Sequence, residues 1–173
     1  RNRRPASRRL PENLRMKGDS ALISKLNSIL TNELTAVNQY FLHARMYDNW
    51  GYKKLGKKTY DESIEEMRHA DALIKRILFL EGLPNVQNLL KMKIGEKPEE
   101  CLAADLAVEI KGRGDLIDAI DACEQGKDFV SRHLLRMILD DTEEHIDFLE
   151  TQLALINSVG LQNYLQSMMG ELE

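Results

Sequence analysis

Glu66-Met67-Arg68-His69 is the stretch on which the reading of this chain turns. In a helix that advances about 100° per residue, Glu66 and His69 lie about 60° apart and one turn along the same face. A Glu-x-x-His of this kind is how one helix of a four-helix bundle presents half of a carboxylate-bridged two-metal site. The other half requires a second Glu-x-x-His far downstream. His145 is present there, but Thr142 stands where the second glutamate belongs.

Working outward, the pattern is helical throughout and no strand-like alternation appears. Asp19 or Ser20 can cap a first long helix, in which Leu22, Leu26, Ile29, Leu30, Val37 and Phe41 recur at helical spacing. It runs to about Asn49 and Gly51 ends it. The second helix, carrying the opening motif, runs from about Lys54 to Leu80, with Gly82-Leu83-Pro84 as its stop. Residues 84–97 form a long connection, able to carry the chain from one end of a bundle to the other. Pro98, with Glu99 and Glu100, suits the first turn of a third helix that Gly126 closes. Gly112 and Gly114 inside it predict an irregularity, since each costs about 1 kcal/mol against alanine. A fourth helix is expected from about Lys127 to Ser158, and a short fifth from Leu161 to Met168 after Gly160.

Each long helix carries a polar group where its apolar face should be. Leu22, Leu26, Ile29, Glu33, Val37 and Tyr40 share a face of the first, and Glu66, Ala70, Leu73 and Ile77 one of the second, with His69 adjacent. Leu102, Leu106, Glu109, Leu116 and Ile120 share a face of the third, and Leu134, Ile138, Asp141, His145, Phe148 and Leu155 one of the fourth. A lone Glu on such a face is usually a boundary residue, and a lone His more often a satisfied core residue than a ligand. Four coincident intrusions are harder to explain that way, because unpaired buried carboxylates are costly. Bound cations would neutralise them, and a carboxylate-rich donor set with few imidazoles suits iron or manganese better than a closed zinc site.

Composition agrees with one helical domain: 173 residues, 43% hydrophobic and 30% charged. No apolar run approaches the roughly 18 residues that span a bilayer, so no membrane partner is expected. Cys101 and Cys123 form no metal or redox spacing, which makes a reducing, cytoplasmic setting the simplest expectation. The net charge of −4 is uneven. Residues 1–15 carry six Arg and one Glu, leaving an acidic body that suits cation handling and argues against a nucleic-acid partner. Those residues are read as a disordered extension. Either they precede a natural start at Met16 or they form a targeting or interaction arm; the folded domain is taken as 16–173.

Met67 faces elsewhere. It lies about 130° from the midpoint of Glu66 and His69, so it cannot ligate the same metal. It shares an outer face with Asp71, Ile74 and Leu78. Two readings remain on geometry: a soft hydrophobe at a helix or subunit contact, or a thioether ligand to haem iron.

From Met16 onward the chain resembles the bacterioferritin family. The resemblance rests on residues 16–19 (MKGD), 38–45 (NQYFLHAR), 76–83 (RILFLEGL) and 161–166 (LQNYLQ). It implies an all-α, ferritin-like four-helix bundle with a long crossover and a short fifth helix. It also implies a hollow 24-mer shell built from dimers, iron storage, ferroxidase chemistry and haem b between paired subunits, with a ferredoxin-like electron donor as a further partner. Residue by residue, Glu33, Glu66, His69, Glu109 and His145 match the family's di-iron ligands, with Glu66 bridging. Met67 matches the axial haem ligand; one Met from each of two subunits would fill both axial positions.

Residues 131–150 align with the family without a gap, so Thr142 reads as a true substitution for the second bridging carboxylate. Two ferrous ions bring four positive charges, and three carboxylates leave one of them unbalanced in a low-dielectric core. Weakened binding of the iron partnered by His145 is therefore expected. Asp141 is expected to hold a ligand histidine from behind. Tyr40, on the Glu33 face, is either an electron donor or a core aromatic with a satisfied hydroxyl. A ferroxidase is one functional reading. The other is a structural, haem-carrying subunit with an impaired centre that co-assembles with a second, active bacterioferritin subunit. A di-iron oxidoreductase acting on another substrate is less in keeping with a chain that has no CxxC motif.

Overall fold

The computed structural model describes residues 17–170, and five helices account for about four fifths of them. They are α1 (Ser20–Trp50), α2 (Lys53–Phe79), α3 (Pro98–Gln125), α4 (Phe129–Val159) and α5 (Leu161–Ser167). The extension expected over residues 1–15 lies outside the described residues, as does Met16.

Local chemistry sets the ends. Asp19 accepts from the backbone N–H groups of Ala21 and Leu22 and caps α1, and Gly51, at φ 90°, turns the chain out of it in the left-handed conformation. The fourth helix starts two residues later than the pattern suggested. Asp128 caps it by accepting from Ser131 N, and Lys127 sits at φ 55°, outside helical space. The irregularity expected at Gly112 and Gly114 is absent, and α3 is continuous through both. A Cβ at either position would meet nothing within 4 Å. Neither glycine is therefore a packing device, and the propensity cost is absorbed by the rest of a 28-residue helix.

α1 packs on α2 and α3 on α4, α1 also packs on α3, and α2 and α4 touch least. Between Phe79 and Pro98 the chain runs alongside α1 without secondary structure. Side chains of α1 tether it one rung at a time. Asn27 holds Leu83 O and Asn85 N, Thr35 accepts from Leu90 N, Gln39 from Lys93 N and His43 from Gly95 N. The strap thus travels from the N-terminal to the C-terminal end of α1. That makes α3 run parallel to α2 and α4 parallel to α1, the crossed topology of ferritin-like bundles.

The last rung is built tightly. His43 Nε2 accepts from Gly95 N at 3.1 Å, while its Nδ1–H donates to Asp105 Oδ1 at 2.8 Å, which also accepts from Gln39 Nε2. All three side chains are buried. A Cβ on Gly95 would fall 2.4 Å from Cys101 N and within 2.8 Å of two further backbone atoms. Gly95→Ala is expected to cost about 2–3 kcal/mol, or roughly 5–10 °C in Tm. A thermal melt checks this, and an unchanged Tm contradicts it.

The core is split in two. One apolar cluster gathers Leu26, Leu30, Leu73, Ile77, Leu116, Leu135 and their neighbours. The other, at the opposite end, holds Tyr47, Leu55, Cys101, Leu102, Leu149 and Tyr164. α5 closes that end, with Tyr164 OH donating to Gln152 and Met168 O accepting from Lys54 N. Two residues assigned to an inward face from sequence lie further out, Leu155 at 40% exposure and the Asp141 side chain at 49%, and Phe41 of the apolar repeat in α1 is 49% exposed. Helices of 31 residues drift in phase against a straight stripe, and the buried line of α4 is Leu135, Ile138, Thr142, His145, Leu149 and Gln152.

Candidate metal centre

Between the two apolar clusters lies a buried polar layer. Glu33 comes from α1, Glu66 and His69 from α2, Glu109 from α3, and Thr142 and His145 from α4, all at or below 8% exposure. The helices have long apolar stripes on both sides of the layer, so packing energy elsewhere holds these groups together.

The five acids and histidines singled out from sequence converge as two triads. Glu33, Glu66 and His69 form one; Glu66, Glu109 and His145 form the other; within each, one donor atom per residue lies within 4.8 Å of the others. Glu66 belongs to both. His69 Nδ1 lies 3.1 Å from Glu33 Oε2 and from Glu66 Oε2, and His145 Nδ1 lies 2.9 Å from Glu109 Oε1. Asp141 sits behind the first triad, its Oδ2 3.1 Å from His69 Nε2. That position lets it fix the ring while Nδ1 faces inward. Tyr40, assigned to the Glu33 face, makes its bond to Glu109, donating its phenolic proton to Oε1; its ring meets His145 edge-on at 5.3 Å.

Thr142 is buried, but its hydroxyl donates to Ile138 O of its own helix at 2.9 Å. The side chain satisfies itself one turn back and brings no charge to the layer.

Without a cation the layer holds protons. Burial, and then the charge of Glu33, push the Glu66 carboxyl up to about 8. Burial, and then Glu66, push Glu109 up to about 7. Burial alone would lower His69, but its hydrogen bonds to Glu33 and Glu66 outweigh it and carry the ring up to about 11. His145 is raised in the same way, by Glu109 against burial. A divalent cation would displace these protons from the carboxyls and from the inward imidazole nitrogens.

This gives a pH dependence with a definite sign. The ordinary value for a glutamate is 4.5, so between about pH 5 and 8 the folded state binds more protons than the unfolded chain at Glu66 and Glu109. His69 acts in the same direction from 6.5 upward. Stability of the metal-free protein is therefore expected to fall as pH rises between about 6 and 9. Thermal melts across that interval check it, and a rising Tm contradicts it.

On the outer face of α2, Met67 is 48% exposed, and Ile64 and, about three turns further on, Leu78 are exposed too. Its direction is the one expected, away from the polar layer.

A crossed four-helix bundle with a carboxylate–imidazole layer at mid-height defines the ferritin-like class. The model of the ferritin-like domain matches residues 23–159. The bacterioferritin of Brucella melitensis is 48% identical over 151 residues, 87% of this chain and 94% of its own length. That of Rhodobacter capsulatus is 47% identical over 149 residues, 86% of this chain and 92% of its own. That of Mycobacterium leprae is 47% identical over 149 residues, 86% and 94% respectively. The chain belongs to the bacterioferritin family.

Sequence reasoning missed the Gln39–His43–Asp105 cluster beneath the crossover, and also Glu62, whose carboxylate lies 3.8 Å from His145 Nδ1. A signal for Glu62 existed, since it stands one helical turn before Glu66, but that position reads equally well as a solvated face. No helix among the described residues is long and apolar enough to cross a membrane.

Proposed function

We propose that this protein stores iron in a hollow shell of 24 copies and oxidises Fe(II) at the Glu33, Glu66, His69, Glu109 and His145 centre. The observation that carries the reading is the sharing of Glu66 between two buried donor triads. A shared carboxylate places two cations side by side, as a reaction drawing one electron from each of two ions requires. Two ferrous ions supply two electrons; dioxygen takes them with two protons and leaves as hydrogen peroxide, and the ferric product moves on to the mineral. The two protons come from solvent, since the bound cations have already expelled those held by the ligands. Tyr40, which donates its phenolic proton in a hydrogen bond to Glu109, would help to fix that ligand.

Met67 is the residue that would hold haem b. A half-exposed thioether on an apolar helix face fits a ligand that each of two paired subunits contributes once. Bound there, haem would supply one-electron transfer for reducing stored mineral, with a ferredoxin-like protein as donor. The acidic body and the isolated, buried Cys101 and Cys123 support a cytoplasmic setting.

The second reading is a shell and haem-carrying subunit that co-assembles with an active one. It is favoured by Thr142, whose hydroxyl is turned back to Ile138. Anaerobic ferrous titration of the metal-free protein, followed by stopped-flow mixing with oxygen, separates the two. A fast, saturable phase supports the enzyme; slow kinetics that track mineral growth support the second reading. One tight and one weaker ferrous ion per subunit are expected, and two tight ions overturn that expectation.

A further inference from the structure

We infer that Glu62 supplies the carboxylate that Thr142 lacks, swinging in as a ligand to the cation held by Glu66, Glu109 and His145. The inference rests on the metal-centre reading above and extends it to a residue outside both triads.

Position is the first argument. Glu62 precedes Glu66 by one turn of α2, so its Cβ projects from the same side of the helix. Its Oε2 lies 3.8 Å from His145 Nδ1, the same nitrogen that faces Glu109 Oε1 at 2.9 Å. Donor atoms about 2.1 Å from one cation and about 90–130° apart around it are separated by roughly 3.0–3.8 Å. Glu62 therefore already stands at about ligand-to-ligand distance from His145. It is not within 4.8 Å of the full triad, so a change of side-chain rotamer completes the approach.

Space and restraint are the second. α2 and α4 touch least of the packed helix pairs, and a cleft of about 760 Å³ opens between them, lined by Lys58, Glu62, Glu65, Asp141 and His145 among others. The present hold on Glu62 is an ion pair from Lys58 Nζ to Oε1, made i to i+4 with Lys58 40% exposed. Such a pair contributes little, and breaking it is a small obstacle. Glu62 is itself only partly buried, its side chain 15% exposed at the edge of that cleft.

The alternatives are worse placed. Asp141 bonds His69 Nε2, the nitrogen turned away from both triads. Thr142 is neutral and committed to Ile138. With Glu62 the carboxylates number four, which balances two divalent cations.

Cobalt(II) titration of the metal-free full chain, read by calorimetry and by visible ligand-field bands, tests this without oxidation chemistry. The unmodified chain should bind two ions per subunit in two steps, the second weaker. Glu62→Gln should leave the first step unchanged and weaken the second at least about tenfold. Lys58→Gln should strengthen the second. Thr142→Glu should make both tight, and adding Glu62→Gln to it should then change nothing. A second step in Glu62→Gln equal to that of the unmodified chain overturns the inference, as does a double variant as weak as Glu62→Gln. A single step in the unmodified chain overturns it too. Absence of cobalt binding in both the unmodified and the Thr142→Glu chains overturns the metal-centre reading itself.

Discussion

Thr142→Glu is expected to raise the affinity of the His145 half of the centre, and the rate of its saturable Fe(II) oxidation, by about tenfold or more. One unit charge 4 Å from another is worth about 4 kcal/mol at an effective dielectric of 20. Desolvating the new carboxylate removes much of that gain, and a remainder of about 1.4 kcal/mol is already a factor of ten. Thr142 is buried beside the triad, so the new side chain starts inside the layer. The same change should lower the Tm of the metal-free protein, because a fourth buried acid joins two that are already forced to hold protons. Metal should restore the loss. Stopped-flow oxidation and melts with and without cobalt check the pair of effects. An oxidation rate equal to that of the unmodified chain removes the argument that charge at position 142 limits this protein.

Glu66→Gln should have the largest effect in the other direction. Both triads lose a donor at once, so both affinities should fall by about 100-fold or more, above the range seen when only a supporting group is removed. The saturable oxidation phase should vanish. The fold should not suffer. Glu66 is held near a pKa of about 8 by burial and by Glu33, so the neutral amide removes a penalty that grows with pH. Metal-free Glu66→Gln should therefore melt higher than the unmodified chain above about pH 8. Loss of oxidation together with a lower Tm there points to misfolding and against a role as shared ligand.

The helices were legible because their stripes are long and their punctuation is chemical. Asp19, Gly51, Pro98, Gly126 and Gly160 each bound an element within a residue of the place expected. Gly112 and Gly114 misled because propensity speaks about the isolated helix, while α3 is held by burial of Leu116 and Ala119 on its other side. Convergence of Glu33, Glu66, His69, Glu109 and His145 could be anticipated because each breaks an apolar face near mid-helix. The strap along α1 could not be. Asn27, Thr35, Gln39 and His43 are scattered polar residues in a linear reading, and their common task exists only once residues 83–95 lie across them. The acceptor of Tyr40 was hidden for the same reason, since helical phase places it near Glu33 while packing of α3 gives it to Glu109.

A carboxylate common to two triads makes them one thermodynamic system. The first cation to arrive must expel the proton that burial and Glu33 keep on Glu66. The second finds that carboxylate already ionised. Occupancy of either half therefore spares the other the cost of deprotonating Glu66, a help set against the repulsion between the two cations, and by linkage the net coupling is equal in both directions. A defect at position 142 is consequently not confined to the side where it sits. With the His145 side seldom filled, the His69 side seldom receives that help, while binding of the first ion is unchanged.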